Sequence, residues 1–258
     1  MQADSALGRV LDLVRTLRAR SDWPRSQTRD TLRPYLLEEA LELEQAIADG
    51  EPEALRAEVG DVLLHLAFQI VIAEERGEFD AEAVVKGLEE KMHRRHPHAF
   101  DDRPAPASWE RAKSVERPTA SVFEGLPRTL PPLLAAFRIQ ERAAGVGFDW
   151  PDAEGPLAKV REELGELDGA TASGQPDRIA EEVGDLLFAV VNLSRKLGVA
   201  PTSVLDAANR KFRERFAGVE QLARRRGRDL YAMSLEEMDQ LWDEVKRGEE
   251  IDQFGQMG

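Results

Sequence analysis

The chain has 258 residues, a formal net charge of −14, 42% hydrophobic and 33% charged residues, and no cysteine. This composition suits a soluble globular protein of one large or two ordinary domains, and it excludes disulfides, thiolate metal sites and a general basic surface for nucleic acid. The longest apolar run, from Val62 to Ala73, is broken by His65 and Gln69 and is too short to span a bilayer. Arg9, Arg15, Arg18 and Arg20 interrupt the start of the chain, so no signal-peptide core is expected there and the cytoplasm is the expected location.

In chain order the pattern is helical. Leu7, Val10, Leu11, Val14 and Leu17 repeat at three and four residues, predicting an amphipathic helix to about Arg20, ended by Ser21-Asp22-Trp23-Pro24. A second helix is predicted from about Arg29 to Asp49-Gly50, a C-cap signal. Pro52 suits the first turn of a third, reaching Arg76-Gly77, and a fourth covers about Asp80 to Arg95 and stops at His96-Pro97.

The second half repeats this order. Helices are expected at about Pro156 to Ala172, Asp177 to Leu197 and Thr202 to Arg226, with Gly174-Gln175-Pro176 turning the chain between the first two. A last helix, Ser234 to Lys246, opens with Ser234 and Glu237 spaced as a capping box, and the residues from Gly248 read as frayed. Pro104, Pro106, Pro118, Pro127, Pro131 and Pro132 mark a linker holding one short helix at about Ser108 to Glu116. β-Branched alternation is missing, so the expected class is all-α, a tandem duplication with domains at 1–103 and 131–258 and a linker at 104–130.

Each half carries the same acidic signature. Glu38-Glu39-x-x-Glu42 precedes Glu58-x-x-Asp61, and Glu162-Glu163-x-x-Glu166 precedes Glu182-x-x-Asp185, with 16 residues from the third Glu to the fourth in both copies and an offset of 124 between them. Positions i and i+3 lie about 60° apart on a helix, so each pair shares one face, and a short turn makes the two helices antiparallel neighbours. Four carboxylates are then expected to meet across each hairpin, and they repel one another unless a cation joins them. One ExxE on a Glu-rich helix means nothing. Two matched copies on apolar helices, with Val59, Val62, Leu63, Leu64, Leu66 and Phe68 in one and Val183, Leu186, Leu187, Val190, Val191 and Leu193 in the other, point to metal centres on buried helices. All-oxygen ligands suit Mg²⁺ or Mn²⁺, and the absence of Glu-x-x-His argues against di-iron chemistry. His65 reads as a core residue or a neighbour of the ligands. Gly60 and Gly184 each cost a helix about 1 kcal/mol relative to Ala, which suggests close approach of a helix or ligand.

On these residues the chain resembles the all-α nucleoside triphosphate pyrophosphohydrolases. With the duplication, Arg94-Arg95-His96-Pro97-His98-Ala99-Phe100 and Val146-Gly147-Phe148-Asp149-Trp150, it is similar to the two-domain MazG family over nearly its whole length. It departs from the family's Cys-Pro-Trp-Asp pattern at Ser21-Asp22-Trp23-Pro24.

The resemblance implies hydrolysis of nucleoside triphosphates between the α and β phosphates, giving monophosphate and pyrophosphate with Mg²⁺, for nucleotide-pool sanitation or control of an alarmone. It implies metal ligation by Glu163, Glu166, Glu182 and Asp185, and by Glu39, Glu42, Glu58 and Asp61. Glu162, or Glu38 in the other half, is the expected water-orienting base. Lys211 and Arg215, at i and i+4, are implied as triphosphate contacts, and Trp242 and Lys246 as a base-stacking and phosphate-contacting pair. Asn209 matches an asparagine familiar in the superfamily.

Lys91 and Arg95 match the basic pair in the first half, but the counterpart of Asn209 is Glu89, and the nearest Trp-x-x-x-Lys there is Trp109 to Lys113 in the linker. The C-terminal half is therefore the expected main catalytic unit. The family packs such hairpins between subunits as four-helix bundles, so a homodimer is expected. The competing readings are a non-catalytic helical interaction protein with structural acidic clusters, and a dUTPase-like or phosphoribosyl-ATP pyrophosphohydrolase-like enzyme, which the tandem architecture disfavours.

Overall fold

The computed structural model describes residues 5–100 and 121–255, so the expected helix at Ser108 to Glu116, with Trp109 and Lys113, lies outside the described residues. Every element among the described residues is helical, and the chain divides into two compact units, Met1–Glu116 and Arg117–Gly258.

In the first unit, α1 (Ala6–Arg20) starts at Ser5, whose hydroxyl accepts from the Gly8 amide at 2.9 Å. Its apolar stripe, Leu11 and Val14, packs on α4 (Pro52–Glu75) in a core with Leu32, Ala67, Phe68, Val71, Ile72 and Ala81. Between α1 and α3 (Arg29–Asp49) lies a short helix, α2 (Asp22–Ser26), where the sequence reading placed only a chain break. It is held by tertiary contacts. The Arg18 guanidinium, 8% exposed, donates to the Pro24 and Gln27 carbonyls and pairs with Glu75 at 2.6 Å.

Thr28 and Thr31 form a capping box that opens α3. Gly50, at φ 73°, takes the left-handed conformation that closes it, and Pro52 begins α4 without losing a hydrogen bond. Asp80 caps α5 (Ala81–Arg95), and the helical turn α6 (Pro97–Phe100) follows.

In the second unit, α7 (Pro132–Gly145) is a helix not expected from the sequence, where Pro131-Pro132 reads as linker; Pro132 instead sits in its first turn, where proline is well tolerated. It packs on α9 (Pro176–Lys196) and α10 (Pro201–Arg225), and Gln140 donates to the Phe188 carbonyl at 2.8 Å. α8 (Glu154–Ser173) pairs with α9 as α3 pairs with α4, closed by left-handed Gly174.

A 3₁₀ turn (Leu230–Ala232) leads to α11 (Leu235–Gly255), which continues past Gly248, where fraying was expected. Its expected capping box is present: Ser234 Oγ accepts from the Glu237 amide and Glu237 from the Ser234 amide. Val219, Ala223, Met233 and Leu241 form the core between α10 and α11. Gly218 lets the helices close up there, since a Cβ would lie 2.9 Å from Val245.

Two expectations about the hairpin helices change. Val183, Leu187 and Val190 on α9, and Val59 and Leu66 on α4, are exposed within one chain, because each hairpin has too few neighbours to cover all its apolar faces. A Cβ at Gly60 or Gly184 would meet nothing within 4 Å, so no element among the described residues approaches there.

Candidate functional site

On the C-terminal hairpin, α8 places Glu163 and Glu166 one turn apart and α9 presents Glu182 across from them. One carboxylate oxygen from each lies within 4.8 Å of the others. Glu163 is 4% and Glu182 9% exposed, while Glu166 is exposed. Asp185, one turn beyond Glu182 and with a shorter side chain, is exposed and outside this set.

Two cations accompany the set, neither of them singled out from the sequence. Lys159 Nζ lies 2.6 Å from Glu163 and 2.7 Å from Glu162, and Arg178 lies 3.9 Å from Glu182. Hydrogen bonds to Glu162 and Glu163 raise the Lys159 ammonium above its ordinary value, fixing its charge. Burial, followed by the charge of Glu166, pushes the Glu182 carboxyl up despite Arg178. The i, i+4 spacings Lys159–Glu163 and Arg178–Glu182 were signals available in the sequence. Glu162 is exposed and held by Lys159 at the rim of the set.

The N-terminal hairpin gathers a different three, Glu39 from α3 with Glu58 and Asp61 from α4, and leaves Glu42 exposed and outside the compact group, with Glu38 also exposed. Burial pushes the Glu39 carboxyl up, and the charges of Asp61, Glu42, Glu58 and Glu38 add to the effect. By the offset of 124, Lys159 and Arg178 are replaced here by Tyr35 and Ala54. His65 is 8% exposed, with Nε2 3.8 Å from Glu39 and its imidazole stacked on Tyr35. Burial pushes its pKa down, which favours the neutral ring.

Both sets fit a hard divalent cation. Their donors are all oxygen, the carboxyl groups crowd one another, and Glu163 Oε2 and Glu58 Oε2 are buried with no hydrogen-bond partner among the described residues. Such an oxygen costs free energy until a cation or donor reaches it.

The residues expected on the substrate side stand on other helices. Asn209 and Lys211 are exposed on α10, and Lys246 is exposed on α11. The Arg215 guanidinium lies 6.0 Å from the Trp242 ring centroid, and Phe212, another residue the sequence did not flag, contacts the same ring at 5.2 Å. Trp242 is half-buried on the α10–α11 core, so it anchors that pair of helices as well as offering a ring edge. In the first unit, Lys91 and Arg95 are half-buried on α5.

The tripeptide Asp-Trp-Pro occurs in both halves, at 22–24 and 149–151, and is used differently in each. Asp149 accepts from Arg195 at 3.1 Å and Lys196 at 3.3 Å, which holds its carboxyl below the usual range, and Trp150 lies over Gly155, where a Cβ would come within 2.1 Å of the indole. Asp22 is fully exposed, and Trp23 meets Tyr35 edge to face at 6.2 Å.

Comparison with known proteins places this geometry in context. The family model described as the MazG nucleotide pyrophosphohydrolase domain matches twice, at residues 27–100 and 153–219, each match containing one carboxylate hairpin. A Thermotoga maritima protein named nucleoside triphosphate pyrophosphohydrolase/pyrophosphatase MazG is 44% identical over 89% of this chain and 90% of its own length. An Escherichia coli K12 nucleoside triphosphate pyrophosphohydrolase is 39% identical over 95% of this chain and 98% of its own. An uncharacterised Bacillus subtilis protein, YabN, is 39% identical over 92% of this chain and 51% of its own.

Proposed function

The chain belongs to the MazG nucleotide pyrophosphohydrolase family, and on that premise we propose that it hydrolyses nucleoside triphosphates to monophosphate and pyrophosphate chiefly at the C-terminal hairpin. The observation that carries this reading is the all-oxygen set of buried Glu163 and Glu182 with exposed Glu166, together with an oxygen of Glu163 that has no hydrogen-bond partner among the described residues and a fixed ammonium at Lys159.

Glu163, Glu166 and Glu182 would hold Mg²⁺ or Mn²⁺, and Asp185 would join by a change of rotamer. A bound divalent cation supplies charge neutralisation of the triphosphate and polarisation of the α-phosphorus. Glu162 takes a proton from the attacking water as the water oxygen bonds to the α-phosphorus and the bond to the bridging oxygen breaks, releasing pyrophosphate. Lys159, already shared between Glu162 and Glu163, holds Glu162 at the rim, and its third donor would be offered to a phosphate oxygen of the substrate. Asn209, Lys211, Arg215, Trp242 and Lys246 complete the substrate contacts.

The exposed apolar residues Leu164, Val183, Leu187 and Val190 support a homodimer in which two hairpins close a four-helix bundle and the substrate residues come from both chains. The N-terminal set, Glu39, Glu42, Glu58 and Asp61, is proposed to bind the same cation while contributing little turnover. The physiological task we assign is cytoplasmic, either pool sanitation or lowering of an alarmone nucleotide, without general nucleic-acid binding. The test is to incubate the purified chain with each NTP and dNTP plus Mg²⁺ and identify the products. Monophosphate and pyrophosphate are expected; diphosphate and phosphate, or no reaction, would overturn the reading.

A further inference from the structure

The carboxylate hairpin of the C-terminal unit is tied at both ends. Gly174-Gln175-Pro176 turns the chain at one end. At the other, both terminal nitrogens of Arg195 donate to the Asp149 carboxylate, and Arg195 Nε and Nη2 also donate to Asn192 Oδ1 at 3.1 and 2.8 Å. Lys196 donates to the Trp150 carbonyl at 2.6 Å. Asn192 is buried, and the Arg195 and Lys196 side chains are 13% and 15% exposed, so water reaches these contacts little. A two-pronged carboxylate–guanidinium contact fixes geometry as well as adding energy. The loop it grips leads into α8, and the residues that grip it end α9.

Trp150 carries that grip onto the face that bears the carboxylates. Its indole lies against Gly155, and the seat exists only because position 155 has no side chain. At 100° per residue, Gly155, Lys159, Glu163 and Glu166 share an arc of about 80° on α8, and Glu182, Asp185, Asn192 and Lys196 share a similar arc on α9. Gly155 stands about 12 Å along the helix from Glu163, so the seat acts on the acids through α8 rather than by touching them. The N-terminal unit is built otherwise. By the offset of 124, Phe68, Val71 and Ile72, all in the apolar core, stand where Asn192, Arg195 and Lys196 do, Thr31 stands for Gly155, and Asp22 is fully exposed. Apolar packing is non-directional and sets the rotation of a helix less sharply than hydrogen bonds do. The three acids gathered there are one from α3 and two from α4, not two and one.

We propose that Asp149, Arg195 and Asn192, with Trp150 seated on Gly155, form a positioning lock that sets the rotation and register of α8 against α9, so that Glu163 and Glu166 together face Glu182. This rests on the reading of the C-terminal hairpin as the metal and reaction site. The lock reaches that site through α8, which carries Lys159, Glu162, Glu163 and Glu166 on one side. Loosening it lets α8 turn toward the N-terminal pattern, in which the second acid of the first helix leaves the set. Contacts that orient metal ligands from outside are worth about 10–100-fold in metal affinity or activity.

The test uses the full chain with Glu58→Ala, which disables the N-terminal set, and follows Mn²⁺ binding without nucleotide by calorimetry and by the electron paramagnetic resonance of the bound ion, below the unfolding transition of each variant. Adding Asp149→Asn should weaken Mn²⁺ binding by about tenfold, change the Mn²⁺ spectrum and lower kcat by a similar factor, with KM within about threefold. Arg195→Met should match it, and the double variant should be no worse than either, because each removes the same lock. Gly155→Ala should lower Mn²⁺ affinity and kcat by about threefold or more although alanine favours the helix, since its Cβ displaces Trp150. Should Asp149→Asn not fold, Gly155→Ala and Arg195→Lys, which keeps a charge without the fork, carry the same readouts. Unchanged Mn²⁺ affinity and kcat in the folded variants, additive losses, or a change confined to KM, which would make the loop a substrate contact, would overturn the proposal. Those results alongside turnover and Mn²⁺ binding by the unaltered chain would sink the lock alone; an unaltered chain with neither would sink the underlying reading too.

Discussion

One turn before Glu163 the C-terminal hairpin carries Lys159, and one turn before Glu182 it carries Arg178; at the same places the N-terminal hairpin carries Tyr35 and Ala54. Each hairpin gathers three acids within 4.8 Å, two from the first helix and one from the second in the C-terminal unit (Glu163, Glu166 and Glu182), one and two in the N-terminal unit (Glu39, Glu58 and Asp61). The C-terminal set thus brings two counter-charges of its own, one shared with the rim glutamate, whereas burial and neighbouring acids hold Glu39 up with only a neutral-leaning His65 nearby. Both units keep an acidic cluster on a helical hairpin. What separates them is the chemistry one turn away, cationic in one and aromatic in the other.

The largest effect expected short of removing a ligand comes from the rim. Glu162→Gln should lower turnover by about 10²–10⁴, the usual worth of a positioned base, while leaving Mg²⁺ binding by calorimetry intact. Glu38→Gln should change turnover by less than about threefold, because catalysis is assigned to the other unit. Retained turnover in Glu162→Gln would remove the residue from that role. Next in size, Lys159→Ala should cost about 10–100-fold in kcat/KM, as expected for losing a charged hydrogen-bond donor to the substrate. Tyr35→Ala should leave pyrophosphate release within about threefold, and equal losses would erase the distinction between the units.

A third contrast concerns stability. Asp149, gripped by Arg195 and Lys196, ties the loop before α8 to the end of α9, whereas Asp22 is exposed. Asp149→Asn should destabilise the chain by about 1–2 kcal/mol in urea unfolding and Asp22→Asn by less than about 0.5 kcal/mol. Because the Asp149 carboxyl is held below its ordinary value, its contribution is fully present above that value and is lost as pH falls through the lower, folded one. The stability gap between wild type and Asp149→Asn should therefore shrink on acidification; a gap that widened would contradict the ion-pair assignment.

The smallest effect is at the hairpin glycines. Gly60→Ala and Gly184→Ala should each stabilise the monomer by up to about 1 kcal/mol, since the added Cβ meets nothing within one chain. A loss of thermal stability in Gly184→Ala alone would show that a second copy seats against α9 and not against α4.

Much of this was legible in the sequence. Gly50 with Pro52 and Gly174 with Pro176 marked both hairpin turns, Ser234 and Glu237 marked a helix start, and the spacing of the acids put them on facing helices. Periodicity told which faces are apolar but not what covers them, so Val183 and Leu187 read as core although one chain leaves them exposed. α2 escaped because its residues are ordered by Arg18 and Gln27 rather than by their own propensity, and α7 was hidden behind two prolines that in fact begin it. Which three of four acids gather depends on the rotation of one helix against another, which residue spacing does not specify. Lys159 and Arg178 stand at i, i+4 from their partners, but on Glu-rich helices that spacing alone does not tell an ordinary solvated pair from a charge at a site.

The most direct measurement is pyrophosphate release from a nucleoside triphosphate by Glu182→Ala and by Glu58→Ala, the equivalent ligands of the two sets, alongside the unaltered chain. Glu182→Ala should lose more than about a thousandfold in kcat/KM, consistent with several kcal/mol of charge stabilisation at the metal centre, and Glu58→Ala less than about threefold. Equal losses in the two variants, or a larger loss in Glu58→Ala, would contradict the assignment of catalysis to the C-terminal unit.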